Sequence, residues 1–499
     1  MKNKMKKLTP VALAALLMGM GAAQAGETIH LGNGVNFDWR LNLSYGLGVR
    51  VANPSPILDS DGNRNFDKGA LTANRLGAVF ESKLSKGRSG LVVTASTFYD
   101  DVYHRSNDNP GPYISTGGQY DRFTSQAKRY GGGYSRMLDT YAYTSFDMGS
   151  SRATVRVGRQ VVNWGESMYF ANIAGAQGPS DAAKAASPGA EIKEVLLPED
   201  QIAVSLEVNP KLSLLAHYQY NFHETLLPAV GMYTSTANAV GPGTTCAYNV
   251  GAACYSSYKG DIRPDKAGQW GVGGRYRVSD ETEVGLYYLN YNDRSPSVLS
   301  SAGGYTIRYF DDIKMLGTTV STTFGKFSAF GEASYRKGTP VSTNTLGVVR
   351  GDIVQANVGG IFNIGRTSVA DDMSLAAEIS GSRVMDLDQG EIRDLNFKTR
   401  NSLVAGGTLT LGYPGIFEGW DLTVPISYQR QLRGRSTVGT FGGGQGDARL
   451  SLGATFVRRS NFSINVSYTN YLGSASNDTK YFRTMTDRDQ VSMTMKYSF

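Results

Sequence analysis

Val35-Asn36-Phe37-Asp38-Trp39-Arg40-Leu41-Asn42-Leu43-Ser44-Tyr45-Gly46-Leu47-Gly48-Val49-Arg50 places an apolar side chain at every odd position. Polar residues and glycine take every even position. In an extended chain successive side chains point to opposite faces, so this stretch has one apolar and one polar face. A soluble strand rarely needs so long an alternation, whereas a tilted membrane strand needs about ten residues.

The last segment repeats the pattern. Val491, Met493, Met495, Tyr497 and Phe499 alternate with Ser492, Thr494, Lys496 and Ser498. A terminal aromatic with apolar residues at two-residue steps before it resembles the signal read by barrel-assembly machinery, with Tyr497 and Phe499 as its core. Between these ends, segments of the same kind recur between turn residues, about 18 in all and no fewer than about 16. Their connections alternate. Short ones include Gly149–Ser151, Pro210 and Gly325; long ones are Val51–Asn74, Asp101–Arg136, Trp164–Glu199 and Phe222–Ala267. Short periplasmic turns and long extracellular loops are the asymmetry of a transmembrane antiparallel β-barrel. The all-β expectation fits the abundance of glycine (60) and tyrosine (29). The mean hydropathy of -0.28 fits it too, because a barrel wall averages a polar and an apolar face. Pro425 lies inside one segment, where it removes a ladder donor and predicts a bulge.

The N-terminus reads as an export signal over residues 1–25. Lys2, Lys4, Lys6 and Lys7 form a basic start, Val11 to Met20 an apolar core, and Ala23-Gln24-Ala25 a cleavage site. The mature chain, 26–499, is then a single outer-membrane barrel domain. Loss of four lysines takes the formal charge of +7 to about +3, so the pI of 9.1 is not a nucleic-acid footprint.

The polar faces of the segments carry Arg40, Arg75, Glu81, Arg156, Glu207, Arg275, Arg277, Glu332, Glu378 and Arg449. These line the lumen, either as a structural ion-pair network or as a selectivity lining. The third outer loop, Trp164 to Glu199, is the candidate constriction, with Trp164, Glu166, Asp181, Glu191 and Lys193 as its residues. Ser180 is placed to cap a short helix over Asp181 to Ala186, which Pro188 and Gly189 end. The apolar run Ile192, Val195, Leu196, Leu197 suits either a loop folded inward or one packed on its neighbours outside the pore. Cys246 and Cys254 in the fourth loop predict a disulfide in an exported chain.

Enzyme and metal signals are weak. Asp59 to Asp67 spaces oxygen ligands like a calcium loop, but position twelve is Ala70 rather than Glu, and Asx turns account for it equally well. There is no nucleophile elbow and no zinc-protease helix motif. His217 and His223 are the basis of a remote lipid-hydrolase alternative. The expectation is a non-enzyme without cofactor or metal.

Four stretches carry a family resemblance. They are Asp61-Gly62-Asn63-Arg64-Asn65-Phe66-Asp67-Lys68-Gly69, Gly158-Arg159-Gln160-Val161-Val162-Asn163-Trp164-Gly165-Glu166-Ser167, Pro188-Gly189-Ala190-Glu191-Ile192-Lys193-Glu194, and Gly331-Glu332-Ala333-Ser334-Tyr335-Arg336. They resemble the domain-of-unknown-function 1302 family of proteobacterial outer-membrane proteins. The second stretch is the most specific. In the third loop Pro179-Ser180-Asp181 keeps the family's P-x-D, while Gly175 to Gly178 departs from its Asn-rich stretch. The resemblance implies a barrel for hydrophobic organic compounds, with a periplasmic partner protein, and it carries no catalytic residues.

The functional expectation is an outer-membrane channel or transporter for small organic, hydrophobic or amphipathic, molecules. The alternatives are a general hydrophilic porin and a non-transporting adhesin or scaffold barrel. Expected partners are outer-membrane lipid and lipopolysaccharide, the barrel-assembly machinery and small organic solutes, with no nucleic acid.

Overall fold

A computed structural model describes residues 28–111, 120–250, 253–396, 398–439 and 442–499. The expected export signal lies outside them. Among the described residues, eighteen strands form one closed antiparallel wall. They are Val35–Arg50, Leu71–Lys86, Ser89–Asp100, Gly133–Met148, Ser151–Gln160, Glu199–Asn209, Leu212–Gln219, Gln269–Arg277, Thr282–Tyr291, Ile313–Phe324, Phe327–Thr343, Gly347–Asn363, Asp372–Leu387, Asn401–Phe417, Trp420–Arg433, Ala448–Arg458, Phe462–Leu472 and Gln490–Ser498. Closure comes from pairing the first with the last, Leu43 opposite Tyr497 and Val49 opposite Val491. A short strand, Ile29–Gly32, folds back on Val35–Arg50 as a hairpin.

Closure is what the sequence demands physically. A wall with an apolar outer face sits in lipid, which offers no hydrogen bonds, so every strand edge needs a partner. Leu286, Leu316, Val358 and Ile379 point outward and are exposed. Their neighbours Tyr287, Met315, Asn357 and Glu378 point inward and are buried. The chain is thus an outer-membrane barrel.

Several strands exceed the alternating segments at their outer ends. Phe327–Thr343 and Gly347–Asn363 continue as a hairpin to Thr343 opposite Gly347, beyond the strict apolar period. In Thr282–Tyr291, whose orientation the pattern leaves open, Gly285, Tyr287 and Leu289 face inward. The bulge predicted at Pro425 is absent. Thr423 pairs with Thr455 and Ile426 with Leu452, so register is kept across the proline. A Cβ at Gly453 would lie 3.1 Å from Pro425 Cγ, so the glycine opposite accommodates the ring without an extra residue.

The outer loops build a cap over one side of the mouth. Phe66, Tyr103, Phe123 and Tyr233 form its apolar centre. Beneath it Arg50, fully buried, donates to Asn63 O at 2.9 Å and pairs with Asp487 at 3.1 Å. The calcium-like stretch is thereby spent on structure: residues Asp61–Arg64 form a helical turn, and Asn63 Oδ1 accepts from Arg50 at 2.7 Å. Cys246 and Cys254 are joined by a disulfide. It staples a hairpin whose second strand, Ala253–Ile262, pairs in parallel with Gly304–Arg308 of the next loop.

Candidate permeation path

The loop between Gln160 and Glu199 enters the barrel. It leaves the wall after Ser151–Gln160 and reaches strands on the opposite side. Backbone N–H groups must find acceptors wherever water is excluded. In the lumen two wall carboxylates supply them. Glu332 Oε2 accepts from the nitrogens of Glu166 and Ser167 at 2.6 and 3.2 Å, and Oε1 from Ile173 at 2.6 Å. Glu378 Oε2 accepts from Met168 and Tyr169 at 2.8 and 2.7 Å. Asn357 donates to Phe170 O at 2.6 Å, and Arg336 to Asn172 O at 3.1 Å. Tyr169 reaches Thr408 with its hydroxyl at 2.8 Å.

Trp164 starts this excursion. It is buried against His217 and Tyr287, with ring centroids 4.8 and 5.6 Å away. His217 bonds Gln201 at 3.2 Å, while His223 pairs with Glu199, so the two histidines serve separate structural contacts.

The second half of the loop returns across the lumen to the first strands. Asp181 accepts from Tyr134 Oη at 2.8 Å and pairs with Arg136 at 3.2 Å. It also caps the helical turn Ala182–Ala185 through Lys184 N, which corrects the expectation that Ser180 is the cap. The Ser180 backbone is tied to Thr225 and Leu226 instead. Glu191 opens a second turn, Ile192–Val195, with a capping box to Glu194. Glu194 is buried between Arg75 at 2.9 Å and Lys184 at 2.7 Å. Burial works to raise the Glu194 carboxyl, but the two cations hold it below its usual range. Burial pulls the Lys184 ammonium down, with Glu194 opposing. Glu191 faces Lys496 at 3.8 Å, and Lys193 pairs with Glu81 at 2.6 Å. Ile192, expected to bury as the loop folds inward, is the most exposed residue of its turn.

The ten inward-facing charges therefore divide by task. Arg75, Glu332 and Glu378 are buried and hold the loop. Glu81 and Arg275 touch it, Arg275 through Tyr287 at 3.0 Å and Trp164 O at 3.5 Å. Arg40 and Arg156 line a cavity of about 450 Å³ below the loop, with Glu81 and Lys193 in its roof. Glu207 and Arg277 are exposed near the short turns. Arg449 alone of the ten lies in the space the loop leaves beside it.

That space is a crescent of about 430 Å³ between Ala185–Gly189 and the wall from Trp420–Arg433 round to Gln490–Ser498. Its wall side is a ladder of neutral hydrogen-bonding groups, Ser427, Gln429, Ser451, Asn465, Ser467 and Ser492 among them. Tyr169, Tyr471 and Met485 add apolar surface. Arg449 is the one charged side chain among the described residues lining it, and it donates to Gln429 at 2.6 Å. Sequence reasoning missed this ladder because serine and threonine on a polar face carry no mark beyond the alternation itself.

Solved structures of similar outline include OccAB1 of Acinetobacter baumannii, at 10% identity over 95% of this chain and 99% of that one, with a TM-score of 0.49. OpdK of Pseudomonas aeruginosa, solved with vanillate, is 9% identical over 93% and 98%, with a TM-score of 0.45. OccAB3 of Acinetobacter baumannii is 11% identical over 93% and 99%, with a TM-score of 0.46. No curated protein matches the sequence. One family model does, over residues 8–499, so the chain belongs to the family described as protein of unknown function DUF1302.

Proposed function

We propose that the protein is a gated outer-membrane channel for small amphipathic organic molecules, with the third outer loop as the gate. The observation that carries this reading is the crescent beside that loop. Its hydroxyls and amides exchange hydrogen bonds with the polar groups of a solute, while Tyr169, Tyr471 and Met485 accept an apolar body. This supports the amphipathic part of the expected substrate range over the purely hydrophobic part. A general porin would oppose clusters of both signs at its constriction; the crescent offers Arg449 alone among its described lining. A scaffold barrel would need no such passage.

Export through the signal at 1–25, recognition of Tyr497 and Phe499 by assembly machinery, and a periplasmic partner belong to the same reading. So does the absence of catalysis. The test is conductance of the refolded chain in a planar bilayer. We expect small single-channel steps, and a several-fold larger step after deletion of residues 178–188. Silence before and after the deletion would favour the scaffold.

A further inference from the structure

We infer that the barrel wall has a side opening between the strands Gly133–Met148 and Ser151–Gln160, through which an amphipathic organic molecule moves between the lumen and the outer leaflet. This rests on the transport reading above and adds a lateral branch to the path.

The wall is incomplete there. The last rung between the two strands is Thr140 opposite Arg159. The first strand runs on to Gly133, still paired to Ser89–Asp100 on its other side, with Tyr99 opposite Gly133. Residues 133–139 thus face no described strand across the gap. A register shift falls at the same point: Val93 pairs with Thr140 and Ala95 with Met137, leaving an extra residue in the unpaired strand. Such a bulge turns the strand away from its neighbour. On the far side, Gln160 opposite Glu199 is again the last rung. The most specific stretch of the sequence, Gly158 to Ser167, is the one that ends the strand early and sends the chain into the lumen.

A cavity of about 350 Å³ occupies the gap. It touches Tyr134, Ser135, Arg136 and Met137 in succession. Alternate residues of a strand face opposite sides, so a cavity meeting four consecutive ones lies on the strand's edge and opens to both faces. Arg136 points inward, to Asp181 of the loop; Met137 points outward and is exposed. The cavity's inner floor is Leu197 and Pro179, themselves joined by a backbone hydrogen bond of 3.0 Å. The inner floor is therefore part of the gate loop. Leu226 and Pro198 add apolar surface beside the polar His223 and Glu224, and Arg129 and Arg159, the latter paired with Asp200 at 2.8 Å, stand at its lip. Tyr99, Val157 and Ile202, exposed on the outer face, lie on the strands around it.

Free backbone edges are not left against lipid; at membrane depth they line a cavity that holds water or a ligand. An amphipathic molecule fits both demands. Its polar group meets the edge and the arginine lip, and its apolar body meets Met137, Leu197 and Leu226.

The test separates the side route from the axial one through the side chain of Leu226, whose bonds to the gate loop, at Ser180 and Ala182, are made by its backbone and survive substitution. Cells carrying Leu226→Trp, Leu226→Ala or the parent chain are given N-phenyl-1-naphthylamine, which fluoresces on reaching a bilayer interior. The same three proteins are refolded for conductance. We expect at least threefold slower dye uptake with Leu226→Trp, faster uptake with Leu226→Ala, and unchanged conductance in both. Equal uptake in all three, or conductance falling in step with uptake in Leu226→Trp, would overturn the side opening. Parent cells that take up no more dye than cells lacking the protein would overturn it too. In that case a conducting parent would still uphold the channel.

Discussion

Glu332 Oε2 lies 2.6 Å from the backbone nitrogen of Glu166, joining one wall of the barrel to a loop that left the wall six strands away. With Ser167 and Ile173 the same carboxylate accepts three N–H bonds, and Glu378 accepts two more. These are charge-assisted bonds in a site shielded from solvent, where removing the acceptor leaves several donors unpaired.

Glu332→Ala should therefore loosen the gate loop without opening the barrel. Each lost bond of this type is worth ~1.5–3 kcal/mol, and relaxation and water recover part of it. The expected result is a larger, noisier single-channel step. Glu332→Gln keeps an acceptor and should fall between parent and Ala. Glu332→Ala with Glu378→Ala should exceed either alone. Steps identical to the parent in the double variant would mean that the carboxylates do not hold the loop.

Gly46 offers a sharper wedge. A Cβ built there would lie 2.2 Å from the carbonyl oxygen of Pro188 and 2.6 Å from its carbon. Both are backbone atoms, so a rotamer change cannot relieve the clash. Gly46→Ala should displace the Pro188–Gly189 corner and disconnect Glu194 from Arg75 downstream of it. Single-channel recording should show a raised open fraction, and refolding yield should change little because Gly46 faces the lumen rather than its strand neighbours. A conductance trace like the parent's would show that the corner yields at no cost.

The deciding stretch at Val35–Arg50 already contained that glycine. Alternation made the barrel legible, because lipid imposes the same two-faced pattern on every strand. It also made Arg75, Glu332 and Glu378 legible as inward-facing. What they hold was not, because their partners are backbone N–H groups, which leave no trace in residue type. Pro425 misled for a related reason: its consequence depended on Gly453 across the sheet, and pairing register cannot be read from one strand. The third loop's direction was visible only indirectly, in an apolar run within a water-facing loop, and even there Ile192 ended exposed.

If the third outer loop is the gate, the Arg75–Glu194–Lys184 cluster should make its docking depend on acid. The Glu194 carboxyl is held below its ordinary value of 4.5 by Arg75 and Lys184 against the opposing effect of burial. A carboxylate with a depressed value in the docked state stabilises docking fully above its ordinary range, and the contribution is lost as pH falls through the depressed value. Conductance should thus be constant from pH 7 down to about 5 and rise below the carboxylate range. In Glu194→Gln the open fraction should already be raised at pH 7, by breaking a buried pair worth ~3–5 kcal/mol when one partner is lost, and should no longer respond to acid. An unchanged acid response in Glu194→Gln would assign it to another group.

Arg449 should set the charge preference of the path. It stands in the crescent with Gln429 at 2.6 Å and no other charged side chain among the described lining residues. A lone cation on a narrow polar passage raises the local concentration of anions and repels cations, and salt screens the effect over about 8–10 Å. Across a potassium chloride gradient the parent's reversal potential should therefore show anion preference. Arg449→Gln should abolish most of it, and Arg449→Glu should reverse its sign. Step size should change less than selectivity, because the gate loop is held by other residues. The same experiment at 1 M salt should flatten the difference, since the Debye length falls to about 3 Å. If the three proteins shared one reversal potential at low salt, ions would be crossing elsewhere, and the cavity at Arg40 and Arg156 would have to be part of the controlling segment.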